Sequence, residues 1–149
     1  MANILVVDDS ESVRTTLRNI LTAADHSIVE AVDGYDALEK LKEKDTFDLI
    51  LLDVNMPEMN GMEFIKVQAE DEKYKQIPTV MCTTESHPKL ILEAKKVGVV
   101  MAWLLKPFKE DKLKETINKK LSKLKEPGLE KNTSITDENA SILIALSIW

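Results

Sequence analysis

Cysteine is almost missing from this chain. Cys82 stands alone, so no intramolecular disulfide can form, and with only His26 and His87 for company it makes no zinc-ligand spacing. Both absences fit a reducing compartment, and the expected localisation is cytoplasmic. Basic charge is in deficit as well. Lys plus Arg number 20 against 26 Asp plus Glu, a net charge of −6, which disfavours nonspecific attachment to nucleic acid or anionic lipid. Long apolar runs are lacking too. The N-terminal MANILVVDDS has only the short apolar run Ile4 to Val7 and no basic segment before it, so no signal peptide is expected. The C-terminal ILIALSIW falls short of the about 20 residues a membrane helix needs, so no membrane insertion is expected.

What is present is an alternation. A chain of 149 residues is of single-domain size and can bury roughly 70% of its unfolded surface. The segments Ile4–Val7, Ser27–Ala31, Phe47–Leu52, Ile77–Cys82 and Met101–Leu105 are strand-length and apolar-rich. Three of them lack the polar alternation of a half-exposed strand, the habit of a parallel sheet covered on both faces. Between them Val13, Leu17, Ile20 and Leu21 recur at helical spacing, as do Ala37, Leu38 and Leu41. Residues from Gly61 to about Asp71 and from Lys89 to Val97 read as two further helices. Leu113, Ile117, Leu121 and Leu124 make the stripe of the last one. The repeated β-α pattern predicts an α/β fold, a five-stranded parallel sheet with helices on both faces.

That architecture locates a site before any motif is consulted, because open α/β sheets bind ligands beyond the carboxyl ends of their strands. The residues ending the runs are Asp8 and Asp9, Asp53, Thr83, and Lys106 followed by Pro107. Three carboxylates brought together repel unless a cation sits among them. Mg²⁺ suits such a set, since it takes oxygen ligands, keeps several waters and accepts one or two carboxylates. Asp9 and Asp53 are expected as direct ligands, Asp8 as a direct or water-mediated one, and the Asn55 carbonyl as a neutral one. A carboxylate beside the ion can attack a phosphoryl group, whose remaining oxygens the Lys106 ammonium and the Thr83 hydroxyl could hold. Any one of these strand ends could instead be a cap or turn residue, and Asp8-Asp9-Ser10 fits capping well. Capping explains neither Lys106-Pro107 after an apolar strand nor Asp53 closing another.

The sequence VVDDS, then LLDVNMPEMNG, then TVMCTTE, then LLKPF resembles the receiver domain of bacterial two-component response regulators, most nearly its stand-alone, CheY-like chemotaxis type. The resemblance covers residues 1–125 and implies a flavodoxin-like three-layer sandwich with strand order 2-1-3-4-5, for which such chemotaxis regulators are a standing example. It implies Mg²⁺-dependent phosphorylation of Asp53 by a CheA-like histidine kinase, with Asp8, Asp9, Asp53 and Asn55 at the metal and Thr83 and Lys106 at the phosphoryl group. Asn55 and Glu85 fall on the positions that set autodephosphorylation, and both match the fast type. Thr83 couples in the family to an aromatic switch, here Trp103 where Tyr or Phe is usual. An indole is larger and carries an N–H that needs a partner. The implied output is binding to a protein such as a flagellar motor switch, with no enzymatic activity beyond self-phosphorylation and dephosphorylation. A phosphorelay shuttle or a dimerising module outside chemotaxis is the alternative. A haloacid dehalogenase-type phosphatase would need a second Asp two residues after the nucleophile, where this chain has Asn55.

Other features are expected to be structural. Gly98 precedes Lys106 by one residue more than the family's common spacing, so GVVMA is expected to bulge or to lengthen the loop into strand five. The resemblance makes the Lys106-Pro107 bond cis, and Pro57 is expected to shape the turn after Asp53. Gly61 is expected to serve as a φ-permissive turn or helix-start residue, and Cys82 as an inert buried thiol. Met56, Met59 and Met62 fit either core filling or an adaptable docking surface. His26 and His87 are expected at the surface or in turns. Glu126-Pro127-Gly128 is expected to stop the last helix, leaving 126–149 as a tail. Within it Ser134–Asp137 fits a capping box, and Ile142, Ile144, Leu146 and Ile148 alternate as in a strand. Packing on the same domain or on a second copy, giving a homodimer, is expected of so apolar an end.

Overall fold

In a computed structural model, which describes residues 1–44 and 46–124, the apolar runs form β1 Asn3–Val7, β2 Ser27–Ala31, β3 Leu49–Leu52, β4 Thr79–Thr83 and β5 Val100–Leu105. All neighbours pair in parallel, in the order β2-β1-β3-β4-β5. Alternate residues of each strand serve two different cores. Leu5, Val7, Ile50, Leu52 and Met81 face one apolar layer with Ala37, Leu41, Phe64, Ile65 and Ile91, whereas Ile4, Val6, Leu49, Leu51 and Val80 face the other with Leu17, Leu21, Leu113 and Ile117. Two covered faces are why the strands read as unbroken apolar runs.

Five helices supply those layers: α1 Glu11–Ala23, α2 Gly34–Glu43, α3 Gly61–Glu70, α4 Pro88–Val97 and α5 Glu110–Leu124. Each of the first four starts on a side-chain cap. Ser10 accepts from the Val13 amide, Asp33 from Asp36, and His87 from Lys89 ahead of Pro88. Asn60 and Glu63 form a reciprocal capping box. His87 is thus a cap, and half-buried His26 accepts from the Ala2 amide at 3.1 Å through Nδ1, so both histidines have structural partners. Gly98 closes α4 at φ +98°, in the left-handed region that favours glycine.

Strand five carries the expected irregularity. Thr79 pairs with Val100 but Val80 with Ala102, so Met101 is the extra residue of a β-bulge. The bulge resets the side-chain alternation. Val100 and Trp103 join one core while Ala102 and Leu104 join the other. Of the methionines beside Asp53, Met56 and Met62 are buried and Met59 packs against the same core, which settles them as core filling. Strand four begins later than the run Ile77–Cys82 suggests, because a short 3₁₀ turn at Tyr74–Gln76 leads into it. Fully buried Gln68 organises that turn. Its amide nitrogen donates to the Tyr74 and Ile77 carbonyls at 3.1 and 2.9 Å, and its oxygen accepts from the Thr79 hydroxyl at 3.1 Å. Gln68→Ala strands these partners and is expected to cost about 3 kcal/mol in urea unfolding. A loss below about 1 kcal/mol would show that water replaces the amide.

None of the helices among the described residues is long and apolar enough to cross a membrane. The tail from 126 to 149, with its capping box, strand-like alternation and association role, lies outside the described residues.

Candidate functional site

Main-chain bonds hold the strand ends in place. The Asp8 amide donates to Ala31 at 3.1 Å, Asp53 to Val7 at 2.9 Å and Lys106 to Thr83 at 2.9 Å, each extending the parallel ladder by one residue. The sheet therefore delivers its terminal side chains to one edge as fixed groups.

There Asp8, Asp9 and Asp53 each place a carboxylate oxygen within 4.8 Å of the others. Asp8 and Asp53 are buried and Asp9 is exposed. The Lys106 ammonium lies 2.6 Å from Asp8 Oδ2 and 3.6 Å from Asp53 Oδ2. Asp53 Oδ1 accepts from the Val54 amide at 2.8 Å, and the buried Thr83 hydroxyl accepts from the Glu85 amide at 3.2 Å. Asn55, on the exposed rim, makes a long 3.5 Å contact from its amide to Glu85 Oε1. The Lys106-Pro107 peptide is cis.

Electrostatics at this edge are unbalanced. Burial, followed by the charge of Asp8, pushes the Asp53 carboxyl above its ordinary 3.8, against the opposing pull of Lys106, Thr83 and the Val54 amide. For Lys106 burial disfavours the ammonium, yet the Asp8 hydrogen bond and the Asp53 and Asp8 charges outweigh it and hold the pKa above 10.5. One ammonium faces three carboxylates, so the cluster has a use for a further cation. Its donors are all carboxylate oxygens, hard ligands that suit Mg²⁺. Cys82 is buried at the back of the site and its thiol is pushed up to about 12, which leaves it unreactive.

The raised Asp53 pKa has a consequence for stability. The folded state holds this proton more tightly than the unfolded chain, so stability falls as pH rises from the ordinary carboxylate range through the folded pKa, and the penalty stays at higher pH. Without divalent metal, Asp53→Asn is therefore expected to raise the melting temperature at neutral pH by roughly 2–4 °C, with the gain vanishing in acid. A fall in melting temperature at neutral pH would contradict this.

Three features escaped the sequence reading. Trp103 is 1% exposed, and its indole N–H finds the partner it needs in the Glu85 main-chain carbonyl at 2.8 Å. Gly61 has no left-handed φ, so its role is not conformational freedom. An added Cβ would lie 2.2 Å from the Asp53 carbonyl oxygen, so its role is close approach. Arg14 reaches the Asp8 carbonyl at 2.8 Å and Glu30 at 3.2 Å. A charged residue in the middle of SIVEA was the available signal for that last contact.

Comparisons with known proteins agree with this geometry. The family model of the response regulator receiver domain matches residues 4–118. A chemotaxis protein CheY homolog from Campylobacter jejuni is 37% identical over 115 residues, covering 76% of this chain and 88% of that protein. The structure of chemotaxis response regulator CheY4 of Vibrio cholerae superposes with a TM-score of 0.73 at 42% identity, covering 80% of this chain and 98% of that one. The structure of a CheX–CheY–BeF3–Mg²⁺ complex from Borrelia burgdorferi matches with a TM-score of 0.74 at 26% identity, over 79% of this chain and 87% of that one.

Proposed function

This chain belongs to the response regulator receiver domain family, and from that premise we propose that it is a phosphorylation-switched signalling protein that accepts a phosphoryl group on Asp53. The observation that carries the reading is the Lys106 ammonium set between Asp8 and Asp53 at the edge where three carboxylates meet.

In the proposed reaction an Asp53 oxygen forms the new bond to phosphorus as the donor's P–N or P–O bond breaks, leaving the donor with the electron pair. The Val54 amide fixes Oδ1, which leaves Oδ2, on the Lys106 side, as the attacking atom. Lys106 then follows the charge onto a phosphoryl oxygen, and the Thr83 hydroxyl turns to another. Asp8, Asp9, Asp53 and the Asn55 carbonyl would hold Mg²⁺, which when bound neutralises charge on the transferred group. The relative crystallised with BeF3 and Mg²⁺ supports that assignment. Asn55 and Glu85, in contact at the rim, would govern the water that hydrolyses the acyl phosphate, giving a short-lived signal. The chemistry stays on the protein's own Asp53, with no external substrate turned over.

Thr83 and Trp103 are the proposed switch. The indole packs inward with its N–H on the Glu85 carbonyl, and the Glu85 amide donates to Thr83 Oγ1 at 3.2 Å, so one short loop joins both residues. Likeness to CheY proteins supports a CheA-like kinase as donor and a protein target such as a flagellar motor switch as receiver of the signal. Incubation with acetyl phosphate and Mg²⁺, followed by intact-mass measurement, tests the proposal. One phosphoryl group per chain, absent without Mg²⁺, is expected. No labelling, or sustained release of phosphate from esters, would overturn it.

A further inference from the structure

The turn after β1 is held at every polar group of Asp8. Its amide bonds Ala31, Oδ1 accepts from the Ser10 amide at 2.9 Å and Oδ2 takes Lys106. Its main-chain carbonyl is left, and Arg14 Nη1 donates to it at 2.8 Å. That carbonyl belongs to the peptide joining Asp8 to Asp9. Because the peptide is planar, fixing the oxygen fixes the plane from which the Asp9 Cα departs.

Arg14 is itself aimed. Its Nε donates to Glu30 Oε1 at 3.2 Å, with side chains 13% and 25% exposed, and Arg18 takes the other Glu30 oxygen. Glu30 is the charged residue of edge strand β2, clamped between two guanidinium groups. A planar fork held by one arm on a carboxylate presents the other in a set direction, which an ammonium cannot do.

We propose that Arg14 is a positioning residue for cation binding, acting through the Asp8 carbonyl to aim the Asp9 carboxylate at the shared site with Asp53. The inference rests on the reading of Asp8, Asp9 and Asp53 as Mg²⁺ ligands. It makes a prediction opposite in sign to simple electrostatics. Removing a positive charge near an acidic cluster should tighten binding of a divalent cation, whereas losing the aim of Asp9 should weaken it.

The experiment is calorimetric Mg²⁺ titration without phosphodonor, together with metal-free melting, for the unaltered protein, Arg14→Met, Arg14→Lys and Arg18→Met. Arg14→Met is expected to weaken Mg²⁺ binding roughly tenfold. Arg14→Lys keeps the charge and should shift affinity in the same direction, which holds the test open if the methionine variant folds poorly. Arg18→Met removes a charge of the same sign but leaves both Arg14 bonds in place, and should weaken Mg²⁺ binding far less than Arg14→Met. Affinity unchanged or raised in both Arg14 variants overturns the inference, as does equal weakening in Arg18→Met, which would reduce Arg14 to a tie between α1 and β2. An unaltered protein that takes up no Mg²⁺ at millimolar concentration overturns the metal reading itself, and the inference with it.

Discussion

Gly61→Ala is expected to slow phosphoryl uptake roughly hundredfold while leaving a folded protein, because it displaces the acceptor by a fraction of an ångström to an ångström. Gly61 opens α3 and its amide donates to the Val54 carbonyl at 2.9 Å, which brings the helix start onto the loop carrying Asp53. A methyl group there would sit 2.2 Å from the Asp53 carbonyl oxygen and 2.9 Å from Val54 Cα. Both are main-chain atoms, so the strain cannot pass into a flexible side chain, and overpacking should cost about 2 kcal/mol. Gly34→Ala is the control. Its methyl would meet Met59, whose Cγ and Sδ at 2.5 and 2.6 Å can swing aside while Cβ at 2.8 Å must shift with its own turn, so the strain falls on Met59 and not on the Asp53 main chain. Uptake of phosphate from acetyl phosphate, timed by intact mass, should collapse for Gly61→Ala and change little for Gly34→Ala. Equal rates for the two variants would show that the Asp53 loop has slack.

Lys106→Met is expected to uncouple metal binding from phosphorylation. The ammonium satisfies Asp8 at 2.6 Å and leans on Asp53 at 3.6 Å, with its own side chain 17% exposed. Its removal leaves two buried carboxylates facing each other, a loss of about 3 kcal/mol in the metal-free protein at neutral pH. The sign with pH follows from the carboxylates. Burial and the Asp8 charge already hold the Asp53 proton above the ordinary carboxylate range, and losing the opposing Lys106 charge raises it further, so the loss grows as pH rises through that range and shrinks in acid. Mg²⁺ can replace the missing charge, so it should bind the variant more tightly and restore more of its melting temperature than it adds to the unaltered protein. Phosphoryl uptake should nevertheless fall, because the group that follows the transferred charge is gone. Weaker Mg²⁺ binding in Lys106→Met would contradict the view that ammonium and metal answer the same excess of negative charge.

The strand ends were legible in the sequence because a parallel sheet imposes a simple rule, apolar until the edge and polar at it. LILL running into Asp53 and WLL running into Lys106-Pro107 obey that rule and read out directly. The bulge at Met101 was legible as a spacing anomaly, but its effect on which core each side chain joins needed the register. Gly61 was placed correctly at a helix start, but its φ freedom is not used, and the close approach to Asp53 eight residues before it has no signature in one dimension. Trp103 was seen as a large aromatic in need of a partner. The partner is a main-chain carbonyl, which every residue offers, so nothing in the sequence could single out Glu85. Gln68 and Arg14 were missed for a similar reason. Their bonds to backbone carbonyls, six and nine residues away for Gln68 and six for Arg14, go to groups that every residue offers, and only the polar Glu30 within an apolar strand marked one of them.

The central claim is that the sheet edge makes one carboxylate of three the phosphoryl acceptor. Site mapping tests it most directly. The protein is labelled with acetyl phosphate and Mg²⁺, the acyl phosphate is reduced with borohydride to the alcohol, and the modified residue is located by peptide mass spectrometry. The account predicts reduction at Asp53 alone, with Asp8 and Asp9 untouched and no signal in Asp53→Asn. Reduction at Asp8 or Asp9, or full labelling of Asp53→Asn, would contradict it.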